Sequence, residues 1–571
     1  PVALAGALLF TASPALFYVL PQYRDFSKAP FILAALLLLG LAVKRPLRWP
    51  PLVALALGLG LIVGIGTGFR RDLASAVPAA VLVLLCFQAG RLRGTLLKRL
   101  AAVALFLVAF YGSARPILAA SQAGTNSTHS VALGLTKVHD ERLGLGGAPY
   151  TLGHRYRDAF MHTRISTHAL YHGDFERNPA YRSPEYDRAG AQYLAAVATH
   201  FPADLMLRWY RAADLILSEA PFAVDDFEEP FYPVPELVTQ LARWRGRALG
   251  VLLGWGTLLT ACALLVVAAA NLRLALAAGF IFFYFAGYTM LQFHVRHYFP
   301  YEIFFFAVLG FLIQTPVHAA SHLANPDKRK SLFGDAGRRF WRWPAAKRVA
   351  VFLLLAVVLI EGPLGLARIY QSHRVKTLYR QYLDAPRTEL ATRKQSGDRV
   401  RFLTPEYLPP DAVTAREEKF RVQPGVVAVA LESPPQPFPL RFEYQAETGL
   451  NDFTTTVQVT PAAGAARQWV FFPVANTTDN YFGGGPRRFS GIAAPKNHAR
   501  HITGVYALDR PEDLGLLLTL ALPEPCEAAP RAMRPLDGAT LDYARAARAL
   551  RRNLLGNGSF EAWPEDAPRP R

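Results

Sequence analysis

Nine stretches of the chain are apolar with little interruption and lack the polar stripe of a water-soluble core helix. They run near 2–20, 30–43, 51–69, 74–90, 99–119, 248–270, 274–293, 299–317 and 347–367. PFILAALLLLGLAV (30–43), PLVALALGLGLIVGIG (51–66) and LGVLLGWGTLLTACALLVVAAA (249–270) contain no charge. Runs approaching the ~20 residues that cross hydrocarbon read as transmembrane helices.

The loops between these runs set an orientation. Lys44, Arg45 and Arg48 lie in one loop, and Arg91, Arg93, Lys98 and Arg99 lie two spans later. Both loops are strongly basic and therefore cytoplasmic. Counting four further crossings puts Lys328, Arg329, Lys330, Arg338, Arg339, Arg342, Lys347 and Arg348 on the same side. The loops at 21–28, 68–72 and 294–298, the segment 120–247 and everything after about residue 368 then face outward.

The expected fold class is a polytopic α-helical membrane protein of about nine transmembrane helices followed by an extracytoplasmic β-sandwich-like domain. Helices one to five occupy 1–119, a mixed and helical extracytoplasmic segment 120–247, and helices six to nine 248–367. Within the first of these soluble parts, AQYLAAVATHFPADLMLRWYRAADLIL (191–217) is amphipathic, and Pro202 should start a new helix. A helical linker (368–397) precedes the β-rich domain (398–552). There, alternation in GVVAVALES (425–433), LRFEYQA (440–446), FTTTVQVTP (453–461), RQWVFFPV (467–474) and LGLLLTLAL (514–522) gives short strands.

Composition adds less. The net charge of +19 is spent largely on short loops between apolar runs, so topology accounts for it and a nucleic-acid partner is not expected. Cys86 and Cys262 lie inside apolar runs and Cys526 stands alone, which gives no disulfide framework or metal site. Walker, GxSxG, HExxH and Rossmann patterns are absent, removing the common soluble-enzyme classes. Pro1 opens directly into an apolar run without a signal-peptide pattern, so the sequence reads as part of a longer chain.

Chemistry is expected in the outward loops. Asp25 suits a base or a cation ligand, with Arg24 and Lys28 on a phosphate; the same residues also suit an interfacial loop with a local ion pair. Arg70 and Arg71 sit on the outward side against the positive-inside tendency, so an anionic substrate, a lipid phosphate, Asp72 or another carboxylate should offset them. HVRHYFPYE (294–302) packs His294, Arg296, His297, Tyr298 and Glu302 into one short link. Glu302 lies at or inside the next span, with Arg296 its expected partner. Asp25, Asp72 and Glu302 are the candidate catalytic carboxylates; Arg24, Lys28, Arg70, Arg71, His294, Arg296, His297 and Tyr298 are the candidate substrate contacts. No metal ligand set is assigned, a divalent cation being the one cofactor considered. The His- and Arg-rich stretch 137–188 fits either a sugar- or phosphate-handling surface or a solvated loop.

RHYFPYEIFFFAVLGFLI (296–313) resembles the Arg-Tyr-then-Pro entry to a late helix of the GT-C superfamily of integral membrane glycosyltransferases. HFPADLMLRWYRAADLIL (200–217) is similar to their juxtamembrane helix, and a soluble β-rich C-terminus has parallels in several branches. The resemblance implies transfer of a sugar from a polyprenyl-phosphate donor to a cell-envelope glycan acceptor, among membrane lipids, on the extracytoplasmic face of a bacterial inner membrane. It implies Arg296 and Tyr298 as donor-phosphate contacts. It places the catalytic carboxylate in the first outward loop, which is Asp25 if Pro1 lies in the first helix and upstream otherwise. NLLGNGSFEAWPEDAPRP (553–570) resembles the start of a galactose-binding-like carbohydrate-binding module, through Asn553, Leu554, Asn557, Gly558, Phe560, Glu561 and Trp563. A non-catalytic protein that binds or exports surface polysaccharide is the alternative.

Overall fold

The computed structural model describes residues 2–524 apart from 21–22, 91, 122–126, 152–157, 174–178, 221–235, 325–342, 405–421, 433, 435, 447–452, 462–465 and 478–486. The third basic loop up to Arg342 and the module-like tail from Asn553 lie outside the described residues. The chain forms two compact units. The first comprises the described residues up to Gly134, Arg182–Asp187 and His200–His373. The second comprises Leu135–Tyr181, Arg188–Thr199 and the described residues from Arg374 onward.

The first unit is helical. Among the described residues, five helices are long and apolar enough to cross a membrane: Trp49–Phe69, Thr95–Ala120, Leu272–Gln292, Val295–Val317 and Pro344–Asp384. A bent pair, Arg243–Leu252 and Gly256–Ala270, meets at 62° and makes a sixth if counted as one span. Large apolar side chains such as Leu37, Leu61, Val108, Leu354 and Leu366 are exposed, as helices solvated by lipid require. The other apolar runs are shorter or interrupted. Residues 2–20 divide into Val2–Thr11 and Pro14–Val19, with extended backbone at Ser13 and Pro14 starting the second piece. Residues 74–90 pass from a 3₁₀ turn (Arg71–Ser75) through Ala76–Leu82 to a π turn (Val83–Phe87). Lys28–Lys44 is a continuous helix of 17 residues.

Small residues let these helices approach. A Cβ on Gly60 would lie 2.5 Å from the Phe106 carbonyl and 2.7 Å from the Ala109 Cβ, so Trp49–Phe69 and Leu92–Ser121 touch backbone to backbone. Pro202 does open a new helix, Pro202–Ser218. Its free amides at Ala203 and Asp204 donate to Gln371 Oε1 at 2.9 and 3.3 Å. Arg99, read above as a loop cation, is buried and donates to the carbonyls of Leu85, Cys86, Gln88 and Gly90, satisfying the frayed end of the π turn.

Among its described residues the second unit holds ten antiparallel strands: β1 (Arg387–Glu389), β2 (Arg393–Ser396), β3 (Arg399–Leu403), β4 (Val422–Glu432), β5 (Phe438–Ala446), β6 (Phe453–Val459), β7 (Arg467–Thr477), β8 (Arg487–Pro495), β9 (Ile502–Leu508) and β10 (Leu520–Glu524). One layer runs β1-β9-β4-β7-β10 and the other β2-β3-β8-β5-β6, joined through the single pair Thr477–Arg487. Alternate residues Val427, Val429, Val470, Phe472 and Val474 of the first layer share a core with Phe402, Leu440, Phe442, Phe489 and Ile492 of the second. The Phe442 and Phe472 rings stack 4.0 Å apart, as facing sheets with a period of two should. Strand structure begins at Arg387, not 398, because β1 and β2 are edge strands with few buried positions and no apolar alternation. Residues 514–519, expected as strand, are instead anchored coil: the Leu518 amide donates to Tyr382 Oη at 2.6 Å, and that hydroxyl donates to the Leu516 carbonyl at 2.9 Å.

The helix Asp158–His172 belongs to this unit and packs on β4, Tyr171 Oη donating to the Pro424 carbonyl at 2.7 Å. Arg164, His168 and His172 share its face at i, i+4 and i+8. Arg164 lies over the Tyr193 ring and donates to the Leu517 carbonyl. The His168 ring is 4.9 Å from His172 and 5.6 Å from Tyr193. Burial first, then His172 and Arg164, hold the His168 imidazole down to about 3; burial and Arg164 hold His172 down to about 4. Both are neutral at pH 7. Because the unfolded chain takes up their protons near pH 6.5, this unit should lose stability as pH falls from about 6.5 toward 3. Amide-exchange protection of β4 and β7 measured between pH 7 and 4 should drop on acidification, and less steeply in His168→Gln/His172→Gln. Equal slopes in the two proteins would contradict the assignment.

Candidate functional site

The helix Trp49–Phe69 ends at Arg70, whose backbone is extended and whose amide closes the last turn onto the Gly66 carbonyl. The chain then turns through the 3₁₀ segment Arg71–Ser75, which Tyr284 Oη holds by donating to the Ser75 carbonyl at 2.8 Å. This places Asp72 beside Lys28, the first residue of Lys28–Lys44. Lys28 Nζ lies 3.2 Å from Asp72 Oδ2 and donates at 3.2 Å to the His297 carbonyl. Arg70 bridges both carboxylates, with Nη1 2.5 Å from Asp25 Oδ1 and Nε 3.5 Å from Asp72 Oδ1. Two acids and two cations thus form a closed, nearly buried lattice across three segments of chain.

His297 completes it. Arg296 Nε donates to His297 Nε2 at 3.1 Å, and His297 Nδ1 lies 3.9 Å from Asp72 Oδ2. Arg70 Nη2 lies 3.3 Å from the same Nδ1. Burial alone would raise Asp72, but Lys28, the neighbouring His297 imidazole and Arg70 together hold it far below the usual carboxylate range. Asp72 is therefore ionised at every physiological pH.

A cavity of about 780 Å³ opens on this lattice. Asp72, Arg70, Arg71 and His297 line it, Gly68, Phe69, Ile117, Val131 and Leu291 add apolar wall, and Ser127, Ser130, Gln292 and Arg182 add further polar groups. Arg71 is exposed within it. With Lys28 and Arg70 balanced by Asp25 and Asp72, the charge added by Arg71 makes the cavity cationic. Such a volume with a mixed polar and apolar lining suits a small ligand that is anionic at one end.

No protein-family model, curated protein or solved structure matches the chain. The site is therefore read from its own residues.

The sequence-derived candidates separate into three sets. Asp72, Arg70, Arg71 and His297 line the cavity, while Asp25 and Lys28 stand behind them as counter-ions. Arg296, His294 and Tyr298 serve His297 and its short helix. His294 Nδ1 accepts from the Arg296 amide, and Tyr298 is buried with its ring 5.1 Å from Phe293. The side chain of Arg24 lies outside the described residues. Among the described residues, no three of His, Cys, Asp and Glu gather as metal ligands.

Glu302 corrects one expectation. Its partner is not Arg296 but Arg245, whose Nη2 lies 3.2 Å from Glu302 Oε2, and Ser13 Oγ donates to the same oxygen at 2.6 Å. All three are buried, and the Arg245 guanidinium also lies 5.4 Å from the Phe306 ring centroid. Arg296 instead turns to His297. The true partners come from distant positions, Ser13 at the break in the first apolar run and Arg245 on the amphipathic helix Glu236–Leu249. The sequence does not single out Tyr288 and Gln292, which lie at the end of an apolar run, or Arg182 within the His- and Arg-rich stretch 137–188.

Glu302 is a structural latch in this geometry, because removing one charge of a buried pair strands the other. Arg245→Met should cost about 3–5 kcal/mol, read as a lowered melting temperature in detergent, and the double variant Arg245→Met/Glu302→Met should recover much of the loss. A double variant as unstable as Arg245→Met alone would contradict the latch.

Proposed function

We propose that the chain is an integral membrane glycosyltransferase that moves a sugar from a polyprenyl-phosphate donor to a cell-envelope glycan. The observation that carries the reading is one cavity in which an ionised carboxylate, Asp72, stands beside the exposed guanidinium of Arg71 at the end of an apolar helix. In this proposal the interrupted helices count as crossings, the bundle spans a bacterial inner membrane about nine times, and the cavity faces the extracytoplasmic side.

The chemistry follows from the charges. Arg71 and Arg70 hold the donor phosphate and the apolar wall receives the start of the polyprenyl chain. Phosphate binding takes part of Arg70's charge from Asp72, so the carboxylate becomes more basic when the donor is present. Asp72 then accepts the proton of the acceptor hydroxyl as its oxygen bonds to the anomeric carbon. The bond from that carbon to the phosphate oxygen breaks, and polyprenyl phosphate departs with the electron pair toward the two arginines. Lys28 and Asp25 keep Asp72 and Arg70 in place throughout.

Mass-spectrometric measurement of released polyprenyl phosphate, with the full chain and polyprenyl-phosphate sugars, tests this. Asp72→Asn should lower kcat by about 10²–10⁴-fold, whereas Arg71→Gln should chiefly raise the KM for the donor. Wild-type turnover in Asp72→Asn would remove the carboxylate from the chemistry. Absence of release with every donor, alongside polysaccharide binding by the wild-type chain, would favour the binding or export reading.

A further inference from the structure

Arg182 is the one non-glycine residue with positive φ among the described residues, at φ 66°. An L-residue with a long side chain adopts the left-handed region at a cost, and such strain persists where surrounding contacts over-determine it. The contacts are present. Ser183 Oγ accepts the Tyr186 amide at 3.1 Å, the Tyr186 hydroxyl lies 2.6 Å from His129 Nδ1, and Thr128 Oγ1 donates to Asp187 at 2.9 Å. These bonds fasten Arg182–Asp187 to the helix Ser127–Leu133, and that helix supplies Ser127, Ser130 and Val131 to the cavity wall. The strained residue is therefore held on the cavity, and its exposed side chain contributes to the lining.

Arg182 shares the lining with Ser127, Ser130 and Val131 of that helix and with Gln292, whose amide donates to the Ser130 carbonyl at 2.6 Å. The serine and glutamine groups suit a sugar. We infer that Arg182 is a specificity-determining residue that binds an anionic group, carboxylate or phosphate, on the acceptor glycan. The enzyme thus acts on an acidic acceptor. This inference rests on the proposed transferase reading for the word acceptor, but anion binding at Arg182 can be measured without turnover.

The test is calorimetric titration of the full chain with four probes: tetragalacturonate, its neutral methyl ester, polyprenyl phosphate and polyprenyl diphosphate. Wild type should prefer tetragalacturonate to the ester by about tenfold or more, as a charge-assisted hydrogen bond to a guanidinium allows. Arg182→Gln should erase that preference, Arg182→Lys should keep part of it, and both should bind polyprenyl phosphate as wild type does. Arg182→Gly, which suits the left-handed backbone, should melt no lower than wild type and also lose the preference, separating recognition from folding. An unchanged acid-to-ester ratio in Arg182→Gln would overturn the inference. So would a loss confined to polyprenyl diphosphate, which would assign the anionic group to the donor. Failure of polyprenyl phosphate to bind wild type would instead count against the transferase reading, whatever Arg182 does.

Discussion

The site depends on one electrostatic constraint: Lys28, Asp72, Arg70 and Asp25 can be held away from water only together. Each alone would be an isolated charge at the end of an apolar helix, a costly arrangement. Together they compensate one another and draw Tyr23–Phe26, Lys28–Lys44 and the turn Arg71–Ser75 to one point, with the His297 carbonyl as a further acceptor for Lys28. The lattice also sets the state of Asp72, an anion held ionised by Lys28 first and by His297 and Arg70 after it. A ligand that competes for Arg70 would remove part of what holds Asp72 ionised.

A second buried ionic cluster serves a different purpose. Ser13, Arg245 and Glu302 meet where the first apolar run breaks. Nothing in the cavity lining includes them. Their chemistry is suited to fixing helix positions, since a carboxylate bonded to both a guanidinium and a hydroxyl has little freedom to move. Close glycine contacts such as Gly60 on Phe106 complete the packing without adding charge.

How much was legible in the sequence follows from the range of each interaction. Apolar runs, the start at Pro202 and the alternation of β4, β5 and β7 are local patterns, and they mark elements the structure contains. Arg70, Arg71 and Asp72 were legible because two adjacent arginines at the end of an apolar run demand a counter-charge, a local anomaly with a physical cost. The identity of the counter-charges was not, since Asp25 and Lys28 lie more than forty residues away and only the fold joins them. Glu302 shows the same limit: Arg296 was its nearest cation in sequence, but the burial that makes the pair costly also selects the partner by helix packing. Arg182 lay within the His- and Arg-rich stretch 137–188 but could not be singled out there, because its left-handed backbone is accompanied by contacts to another helix. β1 and β2 were missed for an energetic reason, edge strands needing few apolar residues.

The most direct measurement is photocrosslinking of the full chain in proteoliposomes with a polyprenyl phosphate carrying a benzophenone near its phosphate, followed by peptide mapping. The account predicts labelling within 68–72 and 288–297, suppressed by unmodified polyprenyl phosphate and lost in Arg71→Gln. Labelling elsewhere, or labelling of those segments that unmodified polyprenyl phosphate does not suppress, would contradict it.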